Sequence, residues 1–502
     1  MEQRTYYDLC EEVSSQRLYE GLLKYGLFSE KLPPFLSSES FYDYCENRKP
    51  NLCFSGKERL YACFNAMRDS NVPRNIGIPN PFAYQLLCES LKNNWESIKK
   101  HFKENTENDK EKISRIHIRK LDNKKVLFEM NYKNIEKDGS PEPDFFLGSK
   151  YLVKADISNC FPSIYSHSIP WALVGRNVAK QNRRPTDWYN ELDKKIRNLK
   201  HGETTGLLIG PHASNLIAEI VLTSVDRELS GTWKKYTRHI DDYKCYVSNE
   251  EEARKFLLDL NEELRYYNLT LNHKKTEIIK LPSSTDNQWV RLLLAHPIHL
   301  KKGMLNYKDI KNYLDTLIDI IKEFDENSAI LNYAIKMVYK RILSENAKQY
   351  LVKTILHWAL IYPYLVFLIE KCVFEQFKIH CDEIQRISQY LYNEGLETQN
   401  FECASYAIYF SLKYEFELQR ISTTDVLAKE DCIFSLLDYC YCKRYNHKAD
   451  LYRHKKHVQE FTEEEFEYFW LYAYHVLPES KLKDEWKEIK KNKVSFLKPD
   501  FI

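Results

Sequence analysis

Lys235-Tyr-Thr-Arg-His-Ile-Asp-Asp-Tyr-Lys-Cys-Tyr-Val247 decides the fold. A β-prone run enters the pair Asp241-Asp242 and another leaves it, with no Gly or Pro between. The pattern predicts a tight hairpin with two carboxylates at its tip. Adjacent carboxylates repel each other unless a cation lies between them, and alone they would be a solvated turn. Their neighbours in the chain separate the two readings.

Upstream, Tyr151-Leu-Val-Lys-Ala-Asp-Ile-Ser-Asn-Cys-Phe161 predicts a buried strand ending near Asp156, broken by Pro162. A glycine-rich turn, Gly206-Leu-Leu-Ile-Gly210, opens a long apolar helix over 216–229. Asp241 follows Asp156 by 85 residues (241 − 156). An amphipathic helix is predicted over 250–267, and Leu269 to Ile279 is a loop running into a strand. One carboxylate from a strand and two from a neighbouring hairpin suit hard divalent cations. Two such ions about 3.5–4 Å apart serve nucleotidyl transfer.

The 502 residues allow two to four domains and a large core, and 43% hydrophobic content excludes a disordered chain. Net charge is +2 (74 − 72), so any nucleic-acid surface must be local. Thirteen scattered Cys read as reduced thiols. Met-Glu-Gln-Arg is no signal peptide, and the longest apolar run, 358–369, is interrupted by Pro363 and too short for a bilayer. The expectation is a soluble, cytoplasmic protein.

Residues 1–25 read as a helix stopped by Gly26, followed by the apolar loop Leu27 to Phe35. Residues 72–81 read as extended and 82–102 as a helix. Ile113-Ser-Arg-Ile-His-Ile-Arg119 alternates, with Arg115, His117 and Arg119 on one face. Such a strand could hold an anion, and the alternative is a half-exposed surface strand. Residues 187–200 read as a charged helix. Beyond about residue 305 the pattern is helical, in segments near 308–323, 327–343, 346–361, 364–376, 380–393, 400–414, 424–442 and 462–476. Helix pairs of that length suit a HEAT-type solenoid or a plain bundle. The expected division is a unit over 1–300, with a helical lead-in over 1–70, and a helical domain over 301–502. Cys440, Cys442, His447, His454 and His457 could form a zinc site; the alternative is an exposed basic surface touching DNA.

Four stretches in order resemble the palm of a reverse transcriptase. Asp156-Ile-Ser-Asn-Cys-Phe161 is similar to the first catalytic motif, and Gly206 to Ser214 to the second. His239-Ile-Asp-Asp242 is similar to the Tyr-x-Asp-Asp box, and Leu271-Asn-His-Lys-Lys-Thr276 to the motif after it. Ile76 to Leu91 resembles the fingers motif and Ile113 to Arg119 the triphosphate-holding strand. The resemblance covers roughly residues 26–290. It implies an α+β fold of fingers and palm followed by an all-α HEAT-like domain. It implies two Mg²⁺ ions (Mn²⁺ able to substitute) held by Asp156, Asp241 and Asp242 with the Ile157 carbonyl helping. Phe161 would crowd a ribose 2′-hydroxyl, Gly210 would lie at the nucleotide, Arg115 and Arg119 would grip the triphosphate, and Lys275 would protonate pyrophosphate. For Lys274 and Lys275 the alternative is a solvated loop.

Two places depart from the family. His239 replaces the usual Tyr, and Leu208-Ile209 replaces the usual Pro-Gln. After Ile279 there is no clear thumb. These features, with Leu32-Pro-Pro34 and the helical half, resemble the bacterial abortive-infection (AbiK-like) reverse transcriptases of phage defence. That subgroup implies template-independent synthesis from dNTPs, single-stranded DNA attached to a Tyr, and a homo-oligomer (trimer or hexamer). Tyr42 and Tyr44 are candidates among 36 Tyr. The rivals are a templated RNA-dependent DNA polymerase with an RNA partner, and a non-catalytic palm serving as a scaffold.

Overall fold

The computed structural model describes residues 4–48, 53–69, 72–109, 111–121, 125–128, 139–284, 287–325 and 327–501. The N-terminal segment is two helices rather than one, α1 (Tyr6–Glu11) and α2 (Ser15–Leu23). Thr5 and Ser14 each accept a first-turn N–H, so each starts its own helix. After α3 (Glu39–Asn47) comes an antiparallel hairpin of β1 (Tyr61–Asp69) and β2 (Val72–Pro79). Asn80 accepts the Phe82 N–H and Pro81 occupies the first turn of α4 (Pro81–Asn93), which α5 (Trp95–Thr106) follows.

The palm is a four-stranded antiparallel sheet in the order β4-β5-β3-β6. Its strands are β3 (Tyr151–Asp156), β4 (Tyr236–His239), β5 (Asp242–Val247) and β6 (Glu277–Lys280). Helix α6 (His212–Thr232) crosses α7 (Glu250–Tyr266), and α7 packs on β3 and β5. Val153, Ala155, Cys245 and Val247 of the sheet and Phe256 and Leu260 of α7 are buried in the same hydrophobic core. Among the described residues, the eight-residue α8 (Gln288–Ala295) and one 3₁₀ turn lie between β6 and the helical half.

That half begins with α9 (Tyr307–Glu323), α10 (Ser328–Val338) and α11 (Glu345–Ile361). It continues through α12 (Cys381–Glu397), α13 (Phe401–Tyr414), α14 (Cys432–Arg444) and α15 (Lys448–Gln459). Helix α12 packs on α13, and α13 on α14. The expected helix over 424–442 is two, because Asp431 accepts the Phe434 N–H and starts α14 afresh. The one over 462–476 is also two, Glu463–Tyr468 and α16 (Trp470–Val476). Helix α15 is the second helix of the helix, loop, helix expected around Cys440 to His457, while α17 (Asp484–Lys491) has no counterpart among the expected helices.

The helical half clasps the fingers. Arg59 bonds Glu467 at 2.9 Å and Glu485 at 2.6 Å. The Trp470 indole N–H donates to the Ile78 carbonyl at 3.2 Å, and the Met67 N–H to Glu402 at 2.6 Å. Leu497 bridges Leu36. Burial pushes the Glu402 carboxyl up to about 8, so its buried position costs stability as pH rises through the window between the ordinary carboxylate range and that value.

Of the Cys/His cluster, Cys442, His447 and His454 come together with Asp438 and Asp450. The cation among them is Arg420, whose guanidinium bonds Asp438, His447 (3.2 Å) and Cys442 (3.7 Å). His454 links Asp438 (3.1 Å) to the Tyr472 hydroxyl (2.7 Å). Asp438 and His454 are fully buried, so this part is polar core rather than basic surface. The exposed cations of the segment are Lys443, Arg444, Lys448, Arg453, Lys455 and Lys456.

Gly395 sets the approach of α12 to α13: a Cβ there would stand 2.7 Å from the Ala404 nitrogen and 2.8 Å from the Asn400 oxygen. Backbone cannot yield as a flexible side chain can. Gly395→Ala is expected to cost about 1–3 kcal/mol in denaturant unfolding. Gly231→Ala, in helix α6 with nothing within 4 Å, should be neutral or slightly stabilising.

Candidate active site

Strand β3 ends at Asp156, which faces Asp242 across the β3–β5 ladder. Strands β4 and β5 are joined by the two-residue turn Ile240-Asp241, with His239 opposite Asp242. Ile240 has φ +60°, a left-handed conformation that a β-branched residue adopts only at a cost. The Arg238 guanidinium holds it, donating to the Ile240 carbonyl at 2.9 Å. The Asp241 carbonyl accepts the Ile157 N–H at 3.1 Å and ties the turn to the end of β3. The hairpin expected from the sequence is therefore present, and it brings Asp156, Asp241, Asp242 and Ile157 together.

Arg238 is fully buried. It bonds Glu219 at 3.0 and 3.2 Å and Asp226 at 2.7 and 2.8 Å. Sequence reasoning missed these three residues. The available signal was an acid at 219 and another seven residues on, two turns apart on one face of an otherwise apolar helix. Asn272 was also missed: its amide donates to Asp156 at 3.0 Å while the Lys275 ammonium contacts the other oxygen at 2.9 Å. Lys275 thus reaches Asp156 of the carboxylate group.

Burial raises the Asp241 carboxyl, and the Asp156 charge adds to it. Asp242 is pushed up to about 6 by burial and then by Asp241 and Asp156. Three carboxylates facing one lysine are an oxygen-only donor set with excess negative charge, which suits hard divalent cations. His239 is pushed down to about 4 by burial and by the Lys244 and Arg115 charges, so it is neutral at pH 7.

Gly206 and Gly210 have φ +88° and +126°, and a Cβ on Gly210 would stand 2.9 Å from Ile76. The Gly77 N–H donates to the Ile209 carbonyl at 2.9 Å, so this turn is locked to β2. Leu208 is buried against Gly77. Phe161 is half-buried in a single turn, Cys160–Ser163, and its carbonyl accepts the Leu207 N–H at 2.8 Å.

Arg115 and Arg119 depart from expectation. Residues 113–119 form isolated bridges, Ser114 to Arg238 and Ile118 to Phe128, not a regular strand with an exposed face. Every residue from 112 to 119 is buried, because α1 covers one side and the β4 hairpin the other. Arg115 donates to the Gly139 carbonyl at 2.7 Å and Arg119 to the Arg115 carbonyl at 3.0 Å. Both guanidiniums are turned onto backbone oxygens. Tyr42 and Tyr44 lie half-buried on α3, where Tyr42 accepts from Gln16 at 3.2 Å.

Between the ordinary carboxylate range and about pH 6, metal-free folded protein binds a proton at Asp242 that the unfolded chain has released. Its stability therefore falls as pH rises through that window. Asp242→Asn should flatten this dependence and raise Tm of the metal-free protein at pH 7. Added Mg²⁺ should raise Tm of the wild type more than that of the variant, in melts at pH 5 and 7. Equal gains from Mg²⁺ would remove Asp242 from the ligand set.

Residues 114–309 match the family model for reverse transcriptase (RNA-dependent DNA polymerase). No curated protein matches the chain. Among solved structures, apo telomerase from Candida tropicalis aligns at 12% identity over 75% of this chain and 70% of that one, with a TM-score of 0.34. A form truncated from its C-terminal domain aligns at 14% over 46% of this chain, with a TM-score of 0.32, and this chain covers only 51% of its length. Telomerase from Candida albicans in complex with a telomeric RNA fragment aligns at 11% over 52% and 49% of the two chains, with a TM-score of 0.21. The match over 114–309 spans Asp156, the glycine turn and the Asp241-Asp242 hairpin, and this part of the chain is a reverse transcriptase domain.

Proposed function

We propose that the protein is a Mg²⁺-dependent DNA polymerase that joins dNTPs without a template, primed from a protein hydroxyl, in phage defence. The observation that carries the polymerase reading is the convergence of Asp156, Asp241 and Asp242 at one end of the palm sheet. Asp156 and Asp241 are the main metal ligands, with Asp242 beside them and the Ile157 carbonyl as a further oxygen. Ions held there would activate the attacking hydroxyl and stabilise the departing pyrophosphate, and Mn²⁺ fits the same oxygens. Lys275, exposed on its loop beside Asp156, supplies a proton to the leaving group. The Phe161 ring crowds a 2′-hydroxyl and favours deoxynucleotides.

The untemplated reading is supported by the residues beside the metal set. Leu208 is spent on packing against Gly77, and His239 is a neutral ring where the family has Tyr. Priming from Tyr42 or Tyr44, and assembly into a homo-oligomer, follow the resemblance to the abortive-infection group.

Pure protein given Mg²⁺ and dNTPs, and no nucleic acid, is expected to accumulate DNA covalently attached to itself. Asp241→Ala and Asp242→Ala should abolish it. Free product would refute protein priming, and strict dependence on added RNA would favour a templated enzyme instead. Undiminished synthesis by Asp241→Ala would overturn the site.

A further inference from the structure

We propose that a single strand of DNA binds along Tyr165, Arg176, Lys180 and Arg183. The proposal rests on the polymerase reading, whose product is such a strand, and adds a binding surface that the reading does not contain.

Residues 175–186 hold Arg176, Lys180, Arg183 and Arg184 and no acid. Arg176 and Lys180 are four residues apart on the short helix Arg176–Gln181, so they share one face. The Arg183 Nε–H turns back and donates to the Lys180 carbonyl at 3.1 Å. The Asn190 amide donates to the Asn182 and Arg184 carbonyls at 2.8 and 2.9 Å and pins the loop that follows the helix. Arg176, Lys180 and Arg183 therefore succeed one another on a fixed backbone.

The row begins on aromatic rings. The Arg176 guanidinium carbon lies 4.5 Å from the Trp171 ring centre and 5.4 Å from that of Tyr266. Those two rings stand 6.5 Å apart, tilted by 68°, and form a notch for the guanidinium. Tyr165 lies 5.7 Å from Trp171 on its other side and is half-buried, while Tyr266 is 38% exposed. A planar cation already held by rings loses little freedom when it takes a phosphate or a base.

The protein leaves these charges unmatched. Among the described residues no carboxylate pairs with Arg176, Lys180 or Arg183. The Arg176 Nε is buried with no hydrogen-bond partner there. On the next helix, by contrast, Arg197 has Asp193 and Lys195 has Glu191. The acids Glu262 and Glu263 lie one turn before Tyr266 on α7 and bound the surface on that side. Unmatched cations in a row, beginning beside partly open rings, suit an unpaired polyphosphate chain. Its phosphates meet the cations and a base meets Tyr165 or the plane of Arg176. A duplex keeps its base faces inside, and an acidic peptide would leave the rings unused.

The test measures binding of a fluorescent dT strand of about 20 nucleotides to the full-length protein across a salt series, without dNTPs. Lys180→Gln with Arg183→Gln is expected to weaken binding about 10-fold and to reduce the slope of log K against log salt by about 1.4. Arg176→Lys keeps the charge and loses the plane, so it should weaken binding about 5-fold with the slope unchanged. Lys180 and Arg183 are exposed, and thermal melts matching the wild type show that each variant is folded. Wild-type affinity and slope in the double variant would overturn the surface, even in a protein that incorporates dNTPs. Wild-type binding by Arg176→Lys, or displacement of the strand by an equal charge of polyglutamate, would reduce the surface to bare charge and overturn it as well. Tighter binding of an rU strand than of dT, lost in the same variants, would overturn DNA as the occupant. Binding with the expected dependence by a wild-type protein that incorporates no dNTP would leave the surface standing and overturn the polymerase reading.

Discussion

Arg238 is the constraint on which the carboxylate end of the palm depends. Taking a guanidinium and two carboxylates out of water costs several kcal/mol per ion, repaid only if donors and acceptors are well matched. Here Asp226 takes two contacts, Glu219 takes two, and the Ile240 carbonyl takes another. Glu219 also accepts from the Tyr6 and Ser114 hydroxyls. One buried charge thus joins α1, the 113–119 segment, α6 and the hairpin. Because it bonds the carbonyl of a left-handed isoleucine, it converts that binding energy into a fixed turn. Asp241 is where it is because Ile240 cannot relax.

That rigidity matters because the carboxylates oppose it. Asp156, Asp241 and Asp242 repel one another, and the one lysine facing them, Lys275, bonds Asp156 together with Asn272. A turn free to move would spread them apart. Holding them together keeps the negative charge concentrated at one end of the sheet, which is the arrangement the proposed metal site requires. The glycine turn contributes from the other side: Gly210 and Gly77 allow β2 to approach so closely that any side chain would intervene.

The convergence of the three carboxylates was legible because a strand, a glycine turn and an acidic hairpin are short local patterns whose order carries meaning. What failed was long-range. Strand β1 escaped notice because its inward residues include Ala62 and Ala66, too small to show alternation beside Phe64. The alternation of 113–119 was real, but it implied an exposed face only if one side stayed open, and α1 closes it. The Cys/His cluster was partly gathered as expected. Its centre is Arg420, outside the segment, and only packing could place a cation from there. Arg238 shows the same limit, since its partners lie on a helix that reads as plain core.

The division of the chain near residue 300 has a different meaning once the contacts are known. A helical half that merely followed the palm would touch it at a linker. Instead Glu402, Glu467, Glu485 and Trp470 grip β1, β2 and the segment before them, and Leu497 pairs with Leu36. The fingers hairpin has two strands, too few to be stable alone, and it gains a hydrophobic partner on its outer face. The same clasp fixes Gly77 and so the glycine turn behind the carboxylates. The helical half is therefore part of what positions the site, although no residue of it lies in the palm sheet.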